Sequence, residues 1–177
     1  VMRWMGNSLL LSTLTTVWVL LVLTAAAYAF VFLDLKGKKF IWAFLIAWMA
    51  VPSVIGFAGS QSIRMKIGAL FGFSPGFIYS YFILTSFGGV FSLMLMKSFL
   101  ESVPRDLIES AQVEGASRAR IFWTIVVPLL RSTMLLIGMW TFIGTWNTYE
   151  VLKQSLALMG NFELADSWKT LTVGLTD

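Results

Sequence analysis

Between Arg3 and Asp34 the chain carries no charged side chain. In a run this long and this apolar, backbone N–H and C=O groups far from water must bond within the segment, which a single stretch achieves only as a helix. As a helix, Leu9 to Leu33 is ~37 Å long at ~1.5 Å per residue. That exceeds a hydrocarbon core of ~30 Å, so the run predicts a membrane span with room to tilt. Composition agrees: 58% of the 177 residues are hydrophobic and 12% charged, where a soluble domain is roughly half apolar and about a quarter charged.

Three further runs follow. Phe40 to Ala58 is uncharged and carries Pro52 near its far end, where a kink costs least. Gly76 to Met96 is a third uncharged run, and Phe122 to about Trp146 a fourth, its first turns expected to be irregular around Pro128 and Arg131. The expected class is an all-α integral membrane protein, one transmembrane domain over residues 1–177 with four visible spans at about 9–33, 40–58, 76–96 and 122–146. Eight Trp and fifteen Phe suit aromatic belts at membrane faces.

Charge sets the topology. Lys36, Lys38 and Lys39 in one loop and Lys97, Arg105, Arg118 and Arg120 in another fall on one side of a four-span arrangement. Arg3, Arg64, Lys66, Lys153 and Lys169, the smaller group, fall on the other. The positive-inside bias places the first group in the cytoplasm. Scattered through short loops, these cations form no continuous basic face, which argues against nucleic acid despite the net charge of +4. The absence of Cys and His excludes disulfides, Cys/His metal sites and a histidine catalyst. No cleavable signal peptide is expected, and both ends read as mid-protein. Residues 59–75 are expected to form an outer connection in which Gly68 and Gly72 serve turns. The tail beyond Trp146 is expected to lead outward to another span.

The least lipid-like stretch is ESAQVEGASRARIFWTIVVP, residues 109–128. Pro104 suits a first helical turn, and Glu101, Arg105, Glu109 and Gln112 share one face while Leu100, Val103, Leu107 and Ala111 share another. Gly115 is placed for a left-handed helix terminus, and Ser117 for capping a second helix that runs into the fourth span. Two readings are open: an amphipathic connector on the membrane surface, or a slim helix-turn-helix that another protein grips. Arg118 and Arg120 at a helix N-terminus, where the macrodipole disfavours cations, favour an acidic partner or anionic lipid.

The residues themselves carry a family pattern. Glu109-Ser110-Ala111, three residues, Gly115, nine residues, then Ile125-Val126-Val127-Pro128 resembles the EAA loop of membrane permease subunits of bacterial ABC importers, E-A-A, three residues, Gly, nine residues, I-x-L-P. Ser110 stands for Ala and Val127 for Leu. The flanks resemble the carbohydrate-uptake branch of the maltose and glycerol-phosphate type: Asn7-Ser8-Leu9, Ala26-Ala27-Tyr28-Ala29, Phe122-Trp123, Gly144-Thr145-Trp146-Asn147 and a Leu-x-Val-Gly-Leu ending at Leu171 to Leu175.

The resemblance implies a six-span permease, of which a first and a last span would be missing, in the bacterial cytoplasmic (inner) membrane as a multi-pass protein. It implies that residues 104–120 are cytoplasmic coupling helices seated in an ATPase subunit, with Glu109 as acidic anchor, Gly115 as the turn, and Ser110, Ala111, Ile125 and Pro128 completing the motif. The implied function is inward movement of a sugar or oligosaccharide. The implied partners are a second permease subunit, two ATPase subunits, an extracytoplasmic solute-binding protein and membrane lipid. ATP and Mg belong to the partners: no Gly-x-x-x-x-Gly-Lys precedes Ser or Thr, so the chain is expected to be no enzyme and to hold no cofactor. The four spans hold no carboxylate for a proton-coupled carrier. Arg131 reads as snorkelling to the cytoplasmic interface. Trp146 and Asn147 suit either an interface anchor or a sugar path, whereas Tyr28, Tyr79, Tyr81 and Trp140 read as packing. A permease for a non-sugar solute, and a non-transporting scaffold whose loop binds lipid, are the alternatives.

Overall fold

The computed structural model describes residues 2–51, 88–147 and 169–171, with isolated positions at 59, 63, 66, 67, 70, 83, 84, 86 and 175. Among these residues there is no strand. The helices are α1 (Met2–Phe32), α2 (Lys38–Met49), α3 (Gly89–Glu101), α4 (Arg105–Val113), α5 (Arg118–Ile121), a π-helical turn (Phe122–Val126), α6 (Val127–Leu129) and α7 (Arg131–Trp146). The chain divides into two compact units: Val1–Trp18, Pro52–Ser86 and Trp140–Asp177 form the first, Val19–Val51 and Phe87–Met139 the second.

Among the described residues, α1 is the one helix long and apolar enough to cross a membrane alone. Residues 118–129 and 131–146 pass the same test only together, bent by 75°. The second expected span appears as α2, which ends at Met49; residues 52–58 lie outside the described set. The third begins at Gly89 and runs past Met96 to Glu101, while residues 76–82 lie outside it. So do Gly68, Gly72, Tyr79, Tyr81 and residues 148–168.

The second unit has a continuous core. Val19, Leu23 and Ala27 on α1 recur at helical spacing and pack with Leu93, Met96 and Leu100 on α3, together with Ile108, Ile121, Val126, Leu130 and Ile137. Thr24 keeps its hydroxyl buried by donating to the Met96 sulfur at 3.8 Å. Gly88 starts α3 at φ 69°, and a Cβ there would overlap Val19 and Leu23, so a side chain is excluded both by conformation and by space. Beside this core, Trp42 of α2 packs edge-on against Phe30 at 5.5 Å and receives the Lys97 ammonium on its ring at 4.6 Å. Lys97 also pairs with Glu101 one turn on, at 2.6 Å.

In the first unit, the opening half of α1 is tied to a distant segment. Asn7 donates from Nδ2 to the Lys169 carbonyl at 2.9 Å, and the Leu171 N–H donates to Ser8 Oγ at 2.8 Å. Those bonds give two residues of the Asn7-Ser8-Leu9 signature a structural use.

Candidate functional site

The motif folds as two short helices around one glycine. Pro104 is extended, at φ −56° and ψ 129°, so α3 stops and α4 starts afresh at Arg105. That break corrects the sequence reading of one amphipathic face from Glu101 to Gln112. Restarting the helix resets its phase, and the core-facing side of α4 is Ile108 (3% exposed) with half-buried Ala111, whereas Leu107 is 46% exposed.

The helix ends as Gly115 requires. Its φ is 81°, the Ala116 N–H reaches back to the Ala111 carbonyl at 2.9 Å, and the Gly115 N–H bonds the Gln112 carbonyl at 3.0 Å. This is the Schellman pattern, which satisfies carbonyls that the helix end would leave orphaned. Ala111 and Ala116 both pack on the core, the apolar contact that accompanies such a turn. Two residues on, Ser117 is extended and its Oγ accepts the Arg120 N–H at 3.3 Å, capping α5.

From α5 the chain passes into the π-helical turn, where the Val127 N–H bonds the Phe122 carbonyl five residues back. The cause is Pro128, which has no N–H to offer and whose ring crowds the carbonyl four residues earlier; the wider turn relieves it. Thr124 Oγ1 donates to the Arg120 carbonyl at 2.7 Å across the same stretch. Phe122 meets Tyr28 edge-on at 5.7 Å, and Ile121 and Val126 are fully buried, so the turn is seated directly on the core. Leu130 then breaks the helix at ψ −2°, ahead of α7.

This geometry sorts the expected site residues into five places. Glu109 and Ser110 are exposed and line a shallow groove of about 350 Å³ with Asp106, Val113 and Glu114. Ala111 faces the core, and Gly115 forms the exposed turn. Ile125 and Pro128 line a separate groove of about 540 Å³ with Leu107, Thr124, Leu129, Arg131 and Ser132. Among the described residues no carboxylate pairs with exposed Arg131. Trp146 and Asn147 belong to the other unit: Trp146 is half-buried and stacks on Phe142 at 5.9 Å, and exposed Asn147 donates its backbone N–H to the Ile143 carbonyl.

The sequence reading did not single out Asp106, Val113 and Glu114. Their signal was present: 106, 109, 110, 113 and 114 repeat at three and four, one helix face. With Asp106 and Glu114 beside Glu109, that face is acidic, and Val113, 89% exposed, is an apolar knob in its midst. A surface of this kind can accept cationic donors and fill an apolar pocket on a partner.

Known proteins match on the same ground. The family described as binding-protein-dependent transport system inner membrane component matches residues 4–154. The maltodextrin transport system permease protein MdxG of Bacillus subtilis is 28% identical over 156 residues, 86% of this chain and 53% of that protein. The galactooligosaccharides transport system permease protein GanQ of the same organism is 32% identical, over 80% of this chain and 49% of its own. The sulfoquinovosyl glycerol transport system permease protein SmoH of Agrobacterium fabrum is 31% identical, over 96% and 55%. The chain thus spans about half the length of the curated relatives it matches. Because the matched residues run from α1 through the turn at Gly115 and beyond the end of α7, the chain belongs to the family of binding-protein-dependent transport system inner membrane components.

Proposed function

We propose that this chain is part of the transmembrane permease of an ATP-driven importer that carries a sugar or oligosaccharide inward across the bacterial cytoplasmic membrane. Three relatives whose names specify maltodextrin, galactooligosaccharides and a sulfoquinovosyl glycerol support a carbohydrate solute. The observation that carries the coupling role is the seated turn: α4 exposes an acidic face with an apolar knob while Ile108, Ala111, Ala116 and Ile121 anchor its other side to the core. A force applied to that face passes into the core instead of bending a loose loop.

In this reading four spans belong to a six-span subunit that pairs with a second permease subunit, two ATPase subunits and an external solute-binding protein. Glu109 accepts from a cation of the ATPase, Ser110 and Gly115 keep the exposed side slim, and Ala111 holds the turn on the core. ATP and Mg bind in the partners, and their closure draws two such segments together. The π-turn and Pro128 carry that motion to the spans, which alternate between inward-open and outward-open states.

Charge reversal tests this. Glu109→Lys is expected to weaken association with the ATPase subunits by about 30-fold or more, the loss typical of a desolvated charge pair deprived of one partner. Pull-down from membranes and solute uptake both report it. Unchanged association together with unchanged uptake would overturn the coupling role and favour a surface loop that only binds lipid.

A further inference from the structure

The buried side of the first half of α1 carries polar side chains beside Leu11. Ser8, Ser12, Thr15 and Trp18 succeed one another at four, three and three residues, one face of a helix, and all belong to a single compact unit. Ser8, Ser12 and Thr15 are 1%, 1% and 2% exposed. On the opposite side Leu9, Leu10, Leu14 and Val17 are exposed, with Thr13 among them, and in the importer reading this side faces lipid.

The buried polar atoms are largely unused. Ser8 Oγ accepts the Leu171 N–H, but Ser12 Oγ, Thr15 Oγ1 and the Trp18 indole nitrogen are enclosed without a hydrogen-bond partner among the described residues. An internal solution exists on this same helix: Thr16 donates to the Ser12 carbonyl one turn back at 2.7 Å. Ser12 and Thr15 do not take it. Left dry, each hydroxyl carries the full penalty of lost hydration, and polar groups inside membrane helices characteristically face a bundle interior or a water-filled cavity.

We infer that this face of α1 walls a hydrated path for a hydroxyl-bearing solute. Ser12 and Thr15 exchange hydrogen bonds with water or solute hydroxyls, and the Trp18 indole N–H donates beside an apolar ring surface on which a sugar face can lie. The inference rests on the importer reading, and its test separates the two.

The chain has no cysteine, so single thiols can be placed without removing any. Ser12→Cys, Thr15→Cys and, as the bilayer-facing control, Leu14→Cys are made in the full transporter in membrane vesicles. They are treated with the charged thiol reagent methanethiosulfonate ethyltrimethylammonium, and the adduct is read by mass on this chain. Positions 12 and 15 are expected to react at least about 10-fold faster than position 14. Equally slow reaction at all three would overturn the hydrated path, whatever the transporter carries.

A second variant reads the hydroxyl itself. Thr15→Val keeps the shape and removes the oxygen, and it is expected to raise the KM for maltotriose uptake about 5–10-fold, the loss of one hydrogen bond. If Thr15 is only packed, the same change relieves an unpaired hydroxyl and leaves uptake unaltered, which would sink the solute contact. Fast labelling in a transporter that moves no maltotriose would retain the path and overturn that solute instead.

Discussion

Gly115 shows what a single residue decides. At φ 81° it holds a conformation that costs an L-residue with a side chain roughly 1–2 kcal/mol, yet nothing within 4 Å of its absent Cβ blocks a small substituent. Backbone strain, not crowding, therefore governs the site. Gly115→Val is expected to destabilise the turn by about 2 kcal/mol, β-branching adding to the left-handed penalty. A lowered thermal midpoint of the detergent-purified protein reports it, and an unchanged midpoint would mean that the Schellman turn contributes no stability. Glu109 differs in kind: exposed at the groove, it makes no demand on the local fold and is available to a partner.

At the scale of elements, the joint between α5 and α7 is built by proline chemistry. Pro128 withdraws one donor, the helix widens into the π-turn, and Leu130 ends it before the 75° bend. Restoring the donor with Pro128→Ala is expected to let residues 122–130 run as regular α-helix and to lengthen the distance between spin labels at Ala119 and Met139, measured by pulsed electron resonance. An unaltered distance would assign the bend to packing of Val126 and Leu130, both fully buried. Much of this was legible beforehand: Pro128 marked an irregular start, Gly115 a left-handed end, and Ser117 a cap. The phase of α4 was not. Periodicity counted through Pro104 put Leu107 on the buried side, because a repeat cannot register that the helix stops and restarts.

For the molecule as a whole, the importer reading makes a division of labour. Purified alone, this chain is expected to hydrolyse no ATP; reconstituted with its permease partner, ATPase subunits and solute-binding protein, the assembly is expected to hydrolyse ATP several-fold faster with a carbohydrate such as maltotriose than without solute. Equal rates across a panel of carbohydrates, with stimulation by an unrelated solute, would redirect the substrate assignment while leaving the coupling segment in place.

The amino-acid sequence alone determined the class and the family signature. An uncharged run from Trp4 to Leu33 leaves the backbone only a helix, and the spacing from Glu109 to Pro128 is a property of the chain order itself. Only the tertiary structure decided which sides of those helices face inward. Whether Ile108 or Leu107 meets the core depends on the backbone angle at Pro104, and whether Ser12 and Thr15 find partners depends on what packs against α1. Helical spacing states which residues share a face; neighbours distant in sequence determine what that face meets.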